Sequence, residues 1–263
     1  EDRPVSASET RLPAMKIDLL GKRVQLYQPL HGFRVSIDAV LLAAAVPAVS
    51  GDQALDVGSG TGAAAFCLGA RVPGVRVRGL EIQADLVALA RESALIAGAK
   101  GRIDFSVGDL LDPPTDIQRN NYNHIFANPP YMKAKSGQVP NHPSRALATI
   151  EGNASLVDWL DFCVTKLPPK GTFTVVHRYD RLSEILDYFD QFPGRVVVKP
   201  LITKVGNDPK RVLVQVTKGI SGPIFRAPGL VLHKKTGIYT PAAEAILRHA
   251  QQLVMSEPEN DYG

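Results

Sequence analysis

Asp56-Val57-Gly58-Ser59-Gly60-Thr61-Gly62 is the stretch on which the reading of this chain turns. It follows a short apolar run, Ala54–Val57, and opens a helical pattern, Ala63–Arg71. The backbone must leave a strand, turn tightly and enter a helix, and glycine permits both the turn and the close approach of a ligand. The spacing is GxGxG, whereas the dinucleotide fingerprint is GxGxxG. That difference turns the reading away from a nicotinamide dinucleotide.

Two more acids continue the pattern. Glu81 ends the second expected strand, where a carboxylate can accept hydrogen bonds from a ribose diol. Asp109 follows the third, in Val-Gly-Asp-Leu, and can accept from the exocyclic amine of an adenine. Singly, each acid reads equally well as a cap on a turn or helix. Three acids at the ends of three successive strands, together with a glycine loop, describe one crevice for a ligand with a ribose and a base. The expected contact set is Asp56, the loop from Gly58 to Thr61 and Gly62, Glu81 with Ile82, Asp109 with Leu110, and Asn128.

Outward from the loop, β-branched runs alternate with helical patterns from about Asp52 to Thr217, as in an α/β domain with a mostly parallel sheet. The expected strands are Ala54–Val57, Val75–Leu80, Ile103–Val107, His124–Ala127, Thr172–His177, Arg195–Leu201 and Val212–Thr217. Helices are expected at Ala63–Arg71, Asp85–Ala97, Leu156–Leu167 and Leu182–Phe192. The last two strands are joined by Gly-Asn-Asp-Pro and no helix, which predicts an antiparallel pair ending the sheet. Arg23–Gln28 reads as a preceding strand and Ile37–Ala45 as a buried helix stopping near Pro47. A Gly/Pro-punctuated stretch, Ile224–His233, leads to a final helix with Thr240 as N-cap and Pro241 at N1, expected to run to about Met255. The expected organisation is an N-terminal tail and extension at 1–51, one main domain at 52–255 and a tail at 256–263.

Asn128-Pro129-Pro130-Tyr131 follows the fourth strand, on the same sheet edge as the glycine loop. An amide-like or aniline-like nitrogen is a poor nucleophile because its lone pair is delocalised. A catalyst should hold such an NH₂ through acceptors and free that lone pair. Asn128 offers a carboxamide oxygen and Pro129 a carbonyl, while the prolines stiffen the turn and remove competing N–H donors. Tyr131 can stack on the planar group that carries the amine.

The rest of the composition is restrained. Cys67 and Cys163, the two cysteines, lie in apolar helical stretches without metal-ligand spacing and read as inert core thiols. The six histidines form no metal motif, so no metal is expected. The start of the chain, Glu1 to Pro13, is polar and reads as a loose tail, and no apolar run suggests a membrane span. A cytoplasmic setting is expected. A net charge of +4 permits a nucleic-acid partner without requiring one.

The Asp56–Gly62 loop, Glu81, Asp109 and Asn128–Tyr131 resemble the motifs of class I, NPPY-type amino-methyltransferases, over about Asp52 to Thr217. The resemblance implies a Rossmann-like fold with an antiparallel seventh strand, and S-adenosylmethionine as cofactor with Asp56, Gly58 and Gly60 near its methionine portion. Adenine and glutamine present similar amines to the same acceptors, so the core alone leaves the substrate open between RNA and a release-factor glutamine. Phe33-Arg34-Val35-Ser36-Ile37-Asp38 and Leu230–Thr240 resemble the family that methylates the adenine beside the anticodon of valine tRNA. That likeness implies a tRNA partner. A module that binds nucleotide without catalysis is the third reading, disfavoured because the acceptor pair at Asn128 and Pro129 has no use in simple binding. Arg34 and Asp38 are candidates for a lid over the cofactor, and Lys133, Lys135 and Arg145 for phosphate contacts, with Lys199, Lys204, Lys210 and Arg211 as a second basic cluster. Trp159 lies on an apolar helical face and is expected in the core.

Overall fold

The computed structural model describes residues 12–132, 152–190 and 192–255, with Pro143 and Ala146 between the first two segments. The chain begins with a hairpin of β1 (Ala14–Leu19) and β2 (Val24–Pro29), in register from Ala14 against Pro29 to Leu19 against Val24. Only the second of these strands is expected from sequence. In β1 no residue is fully buried and polar and apolar residues mix, so no apolar run marks it. Helix α1 (Ile37–Ala45) buries every residue from Val40 to Ala45, because it lies inside the same hydrophobic cluster as the helices that follow.

The main sheet is built from β3 (Gln53–Val57), β4 (Arg76–Glu81), β5 (Ile103–Val107), β6 (His124–Ala127), β7 (Thr172–Arg178), β8 (Gly194–Lys204), β9 (Arg211–Lys218), β10 (Phe225–Arg226) and β11 (Leu230–His233). Its order is β10-β8-β9-β7-β6-β3-β4-β5, with β11 also paired to β8. From β7 to β5 every pairing is parallel, and β9 alone runs against its neighbours β7 and β8. All seven expected strands are present, including the antiparallel β8–β9 pair. Two short strands extend the sheet beyond β8, where the Gly/Pro punctuation of 224–233 conceals strand character.

The connecting helices are α2 (Ala63–Arg71), α3 (Ala84–Ile96), the short α4 (Thr115–Arg119), α5 (Leu156–Thr165), α6 (Leu182–Phe189) and the last, α7 (Pro241–His249). Alternation along the strands divides the core in two. Ala54 and Phe126 face the cluster under α1, α2, α3 and α7, while Leu55, Val57 and Ile125 face the cluster under α4, α5 and α6. The result is a three-layer α/β/α body. Helix α7 is capped as expected, the Thr240 hydroxyl accepting from Ala243 N–H at 3.2 Å. It stops at His249, short of the expected Met255. Ala250 takes a left-handed conformation at φ 56°, and Leu253 N–H then donates to Ala44 at the end of α1 at 2.9 Å. Leaving the helix lets Leu253 and Met255 bury themselves and satisfies a terminal carbonyl of α1.

The chain enters the parallel run at β3, moves out through β4 and β5, then returns to β6 on the other side of β3 and moves out through β7. At such a reversal the two loops beyond the strand ends diverge and leave a crevice. The glycine loop and the Asn-Pro-Pro-Tyr turn both start from this point. Val57 pairs with Ala127, so Gly58 and Asn128 leave adjacent strands side by side.

Candidate active site

A cavity of about 580 Å³ opens over the carboxyl ends of β3, β4, β5 and β6. Asp56, Gly58, Ser59, Glu81, Ile82, Asp109, Leu110, Asn128, Pro129, Pro130 and Tyr131 line it, as do Arg34 and Asp38 from the start of the chain. Gly60, Thr61 and Gly62 belong to the same loop but are not among the lining residues. They shape the loop from behind. Gly60 has φ 55°, and a Cβ there would stand 2.6 Å from the Phe33 ring, which itself lines the cavity. Lys133, Lys135 and Arg145 lie outside the described residues.

Two carboxyl groups are buried in the wall. Asp56 is 2% exposed and accepts one hydrogen bond, from Ala65 N–H at 3.2 Å. Burial raises its pKa to about 8, the Ala65 bond lowers it and nearby Glu81 raises it further. Burial also raises the Glu81 carboxyl, against backbone N–H groups that hold it down. Gly60 N–H donates to one of its oxygens and Gln83 N–H to the other, each at 2.9 Å. Every carboxylate oxygen has a second lone pair, so Glu81 is oriented and still able to accept. Asp109 uses Oδ1 to accept from Leu111 N–H at 3.0 Å in its own turn.

The Asn-Pro-Pro-Tyr turn divides its polar groups in a telling way. The Pro130 carbonyl meets His177 Nε2 at 3.3 Å, and the Tyr131 hydroxyl donates to Asp38 Oδ2 at 2.8 Å. The Asn128 Oδ1 is buried and has no hydrogen-bond partner among the described residues. Burial, then the charge of Arg181, lowers the His177 pKa to about 4, so its ring is neutral and donates. Arg211 donates to the same Asp38 oxygen at 3.3 Å and lays its guanidinium over the Tyr131 ring at 4.5 Å. Asp38 is thus a tie between α1, the turn and β9. Arg34 is spent otherwise, its guanidinium donating to the carbonyls of Pro29 and Leu30 at the end of β2.

Sequence reasoning passes over four side chains at this site. Phe33, Trp159 and Arg211 line the cavity, and His177 supports the turn. Trp159 packs on the core as expected, yet it also forms cavity wall against Gly58. By sequence Arg211 reads as one member of a basic cluster; β9 pairs this first residue with Arg178 at the carboxyl end of β7, which brings it to the site. A helical apolar stripe and a basic cluster carry no mark of which member faces a cavity. Among the described residues no group of His, Cys, Asp and Glu could hold a metal ion, and no helix is long and apolar enough to cross a membrane.

The methyltransferase small domain family matches residues 34–143. Among solved structures, a predicted O-methyltransferase from Agrobacterium tumefaciens is similar in fold, with TM-score 0.68 and 20% identity over 82% of this chain and 98% of that one. A SAM-dependent O-methyltransferase from Thermotoga maritima gives TM-score 0.52 and 17% identity over 73% and 68%. The fold, with a cavity over its switch point, is that of the class I S-adenosylmethionine-dependent methyltransferases. The tRNA1(Val) (adenine(37)-N6)-methyltransferase of Porphyromonas gingivalis is 31% identical over 84% of this chain and 89% of its own, and that of Bacteroides fragilis 31% over 74% and 82%. This chain belongs to that family and is an N-methyltransferase. The site fits the cofactor chemically. Asp56 and Glu81 are buried acids to which the described residues supply no cation, and the buried Ser59 hydroxyl has no partner among the described residues and can take one from a polar ligand.

Proposed function

We propose that this enzyme methylates the exocyclic N6 amine of an adenine in tRNA, near the anticodon. The buried, unpartnered Asn128 Oδ1 at the end of β6 carries the reading, because an acceptor without a donor is costly unless a ligand amine completes it. Bound S-adenosylmethionine supplies an electrophilic methyl group on a sulfonium. Asn128 Oδ1 and the Pro129 carbonyl accept from the target NH₂ and free its lone pair. His177 and Asp38 hold the turn by its other polar groups, which keeps those acceptors aimed. Tyr131, held by Arg211 over its ring and by His177 packed edge-on at 5.2 Å, lines the cavity where it can meet the base. Asp56 takes the cationic part of the cofactor, Glu81 the ribose and Asp109 the adenine. Residues 52–255 are the catalytic domain, and the segment before it supplies Asp38.

The tRNA assignment rests on the names of the relatives and on charge at the active edge. Lys204 and Lys210 are exposed on the two sides of the β8–β9 turn, and Lys234 and Lys235 follow β11 at the same edge. Lys199, halfway along β8, is half-buried and has an interaction of its own, so it leaves the phosphate-binding set. Incubation with labelled S-adenosylmethionine and either total tRNA or a release factor separates the substrates. Label should enter N6-methyladenine in tRNA; label in a release-factor glutamine alone would replace this reading by a protein methyltransferase. Asn128→Ala should lower turnover by roughly a hundredfold or more and leave cofactor affinity nearly intact.

A further inference from the structure

Trp159 stands at the point where the glycine loop and the Asn-Pro-Pro-Tyr turn come together. A capping box, Ser155 with Asp158, sets the start of α5 and places Trp159 four residues past the N-cap. Ala154, just before the cap, lines the cavity beside it. The edge of the indole rests on Gly58: a Cβ there would be 2.5 Å from Cη2 and 2.9 Å from Cζ3. Gly58 has φ 72°, so both its backbone and its missing side chain make room for the ring. Through the Val57–Ala127 pairing, Asn128 is the next residue across.

We propose that Trp159 is a cofactor-contact residue whose π face receives the sulfonium of S-adenosylmethionine. The inference rests on the proposed orientation of the cofactor, with ribose at Glu81 and the transferable methyl beside Asn128. A sulfonium has no N–H or O–H to donate, so a carbonyl or carboxylate cannot hold it by hydrogen bonds. The face of an aromatic ring attracts a cation without needing a donor, and the indole does so best. The neutral thioether left after methyl transfer loses that attraction, so the contact favours substrate cofactor over product.

Trp159 is the sole tryptophan of the chain, which makes its fluorescence a direct probe. S-adenosylmethionine should change that emission saturably, at the concentrations at which calorimetry registers binding. Trp159→Leu should weaken S-adenosylmethionine about tenfold or more, and S-adenosylhomocysteine less than about threefold, the difference being the cation–π part. Trp159→Phe, which retains an aromatic face, should keep most of the discrimination. Glu81→Ala should weaken both ligands alike, since both carry the ribose. Emission unchanged at calorimetric saturation, or equal losses for the two ligands in Trp159→Leu, would overturn the proposal while a Glu81→Ala loss leaves the orientation standing. Unaltered binding in Glu81→Ala would overturn the orientation and the proposal together.

Discussion

At Gly58 two constraints coincide, a left-handed backbone and an indole where a side chain would be. Gly58→Ala must shift Trp159 or the loop, and both shape the cavity. The substitution should cost about 1–3 kcal/mol of stability through backbone strain and crowding. It should also reduce cofactor affinity more than tenfold, more than a global effect of that size explains while the protein remains folded. Calorimetric titration beside a thermal melt checks this, and wild-type affinity would refute the close fit. The neighbouring acids obey a different logic. Asp56 is held by one backbone bond in a buried wall, an arrangement that disfavours its charge until a cation arrives.

Among the elements, α1 gains its importance from one residue. Asp38 is 8% exposed and joins the Tyr131 hydroxyl, the Arg211 guanidinium and its own helix. Ser36 is the N-cap of α1 without a side-chain bond, so Asp38 is no cap; its carboxylate serves the neighbouring elements. Asp38→Ala takes the carboxylate away from Arg211 and from the Tyr131 hydroxyl that donates to it. Because Arg211 is about a third exposed, the loss should be about 1–2 kcal/mol rather than that of a deeply buried pair. Turnover on the proposed tRNA substrate should fall more than cofactor affinity does, since the carboxylate braces Tyr131, the side chain proposed to meet the base. A melt and single-turnover kinetics measure the two effects. Equal catalytic rates in variant and wild type would show that Tyr131 needs no tie.

For the whole molecule, the buried groups make stability depend on pH in two opposed ways. The folded pKa of Asp56, about 8, lies above its ordinary 3.8, so between these values the native state binds more protons and stability falls as pH rises. Glu81 acts in the same sense. His177 is shifted down from 6.5 to about 4, so across that window the unfolded state binds more protons and stability rises with pH. Above pH 6.5 the histidine effect fades, His124 being shifted down like His177, and the acids dominate. The cofactor-free enzyme should lose about 1–2 kcal/mol between pH 6.5 and 8, and Asp56→Asn should flatten the decline in melting temperature. A flat wild-type profile would mean that Asp56 is ionised without a ligand. On the same scale, charge reversal is unnecessary to test RNA docking. Neutralising Lys204 and Lys210 should weaken tRNA binding and reduce its log–log salt slope by about one to two units, with cofactor affinity unchanged.

Local chemistry makes much of this protein legible in its sequence. The glycine spacing, the acid after each strand and the Asn-Pro-Pro-Tyr turn are short-range signals, because a strand end, a tight turn and a helix start each impose residue types on their own neighbours. The alternation of apolar periods likewise carries the seven main strands, and the helix-less Gly-Asn-Asp-Pro link carries the reversal of β9. The strand β1, the stop of α7 at Ala250 and the strands β10 and β11 are illegible there, since their boundaries come from pairing and burial against distant partners rather than from local propensity. The same holds within the site. Asp38, Tyr131, His177 and Arg211 are separated by up to 173 residues, and Trp159 meets Gly58 only across the cavity. Sequence determines which groups could do the chemistry. Which of them face one another is decided by strand register and helix packing, because those set the direction of each side chain in space.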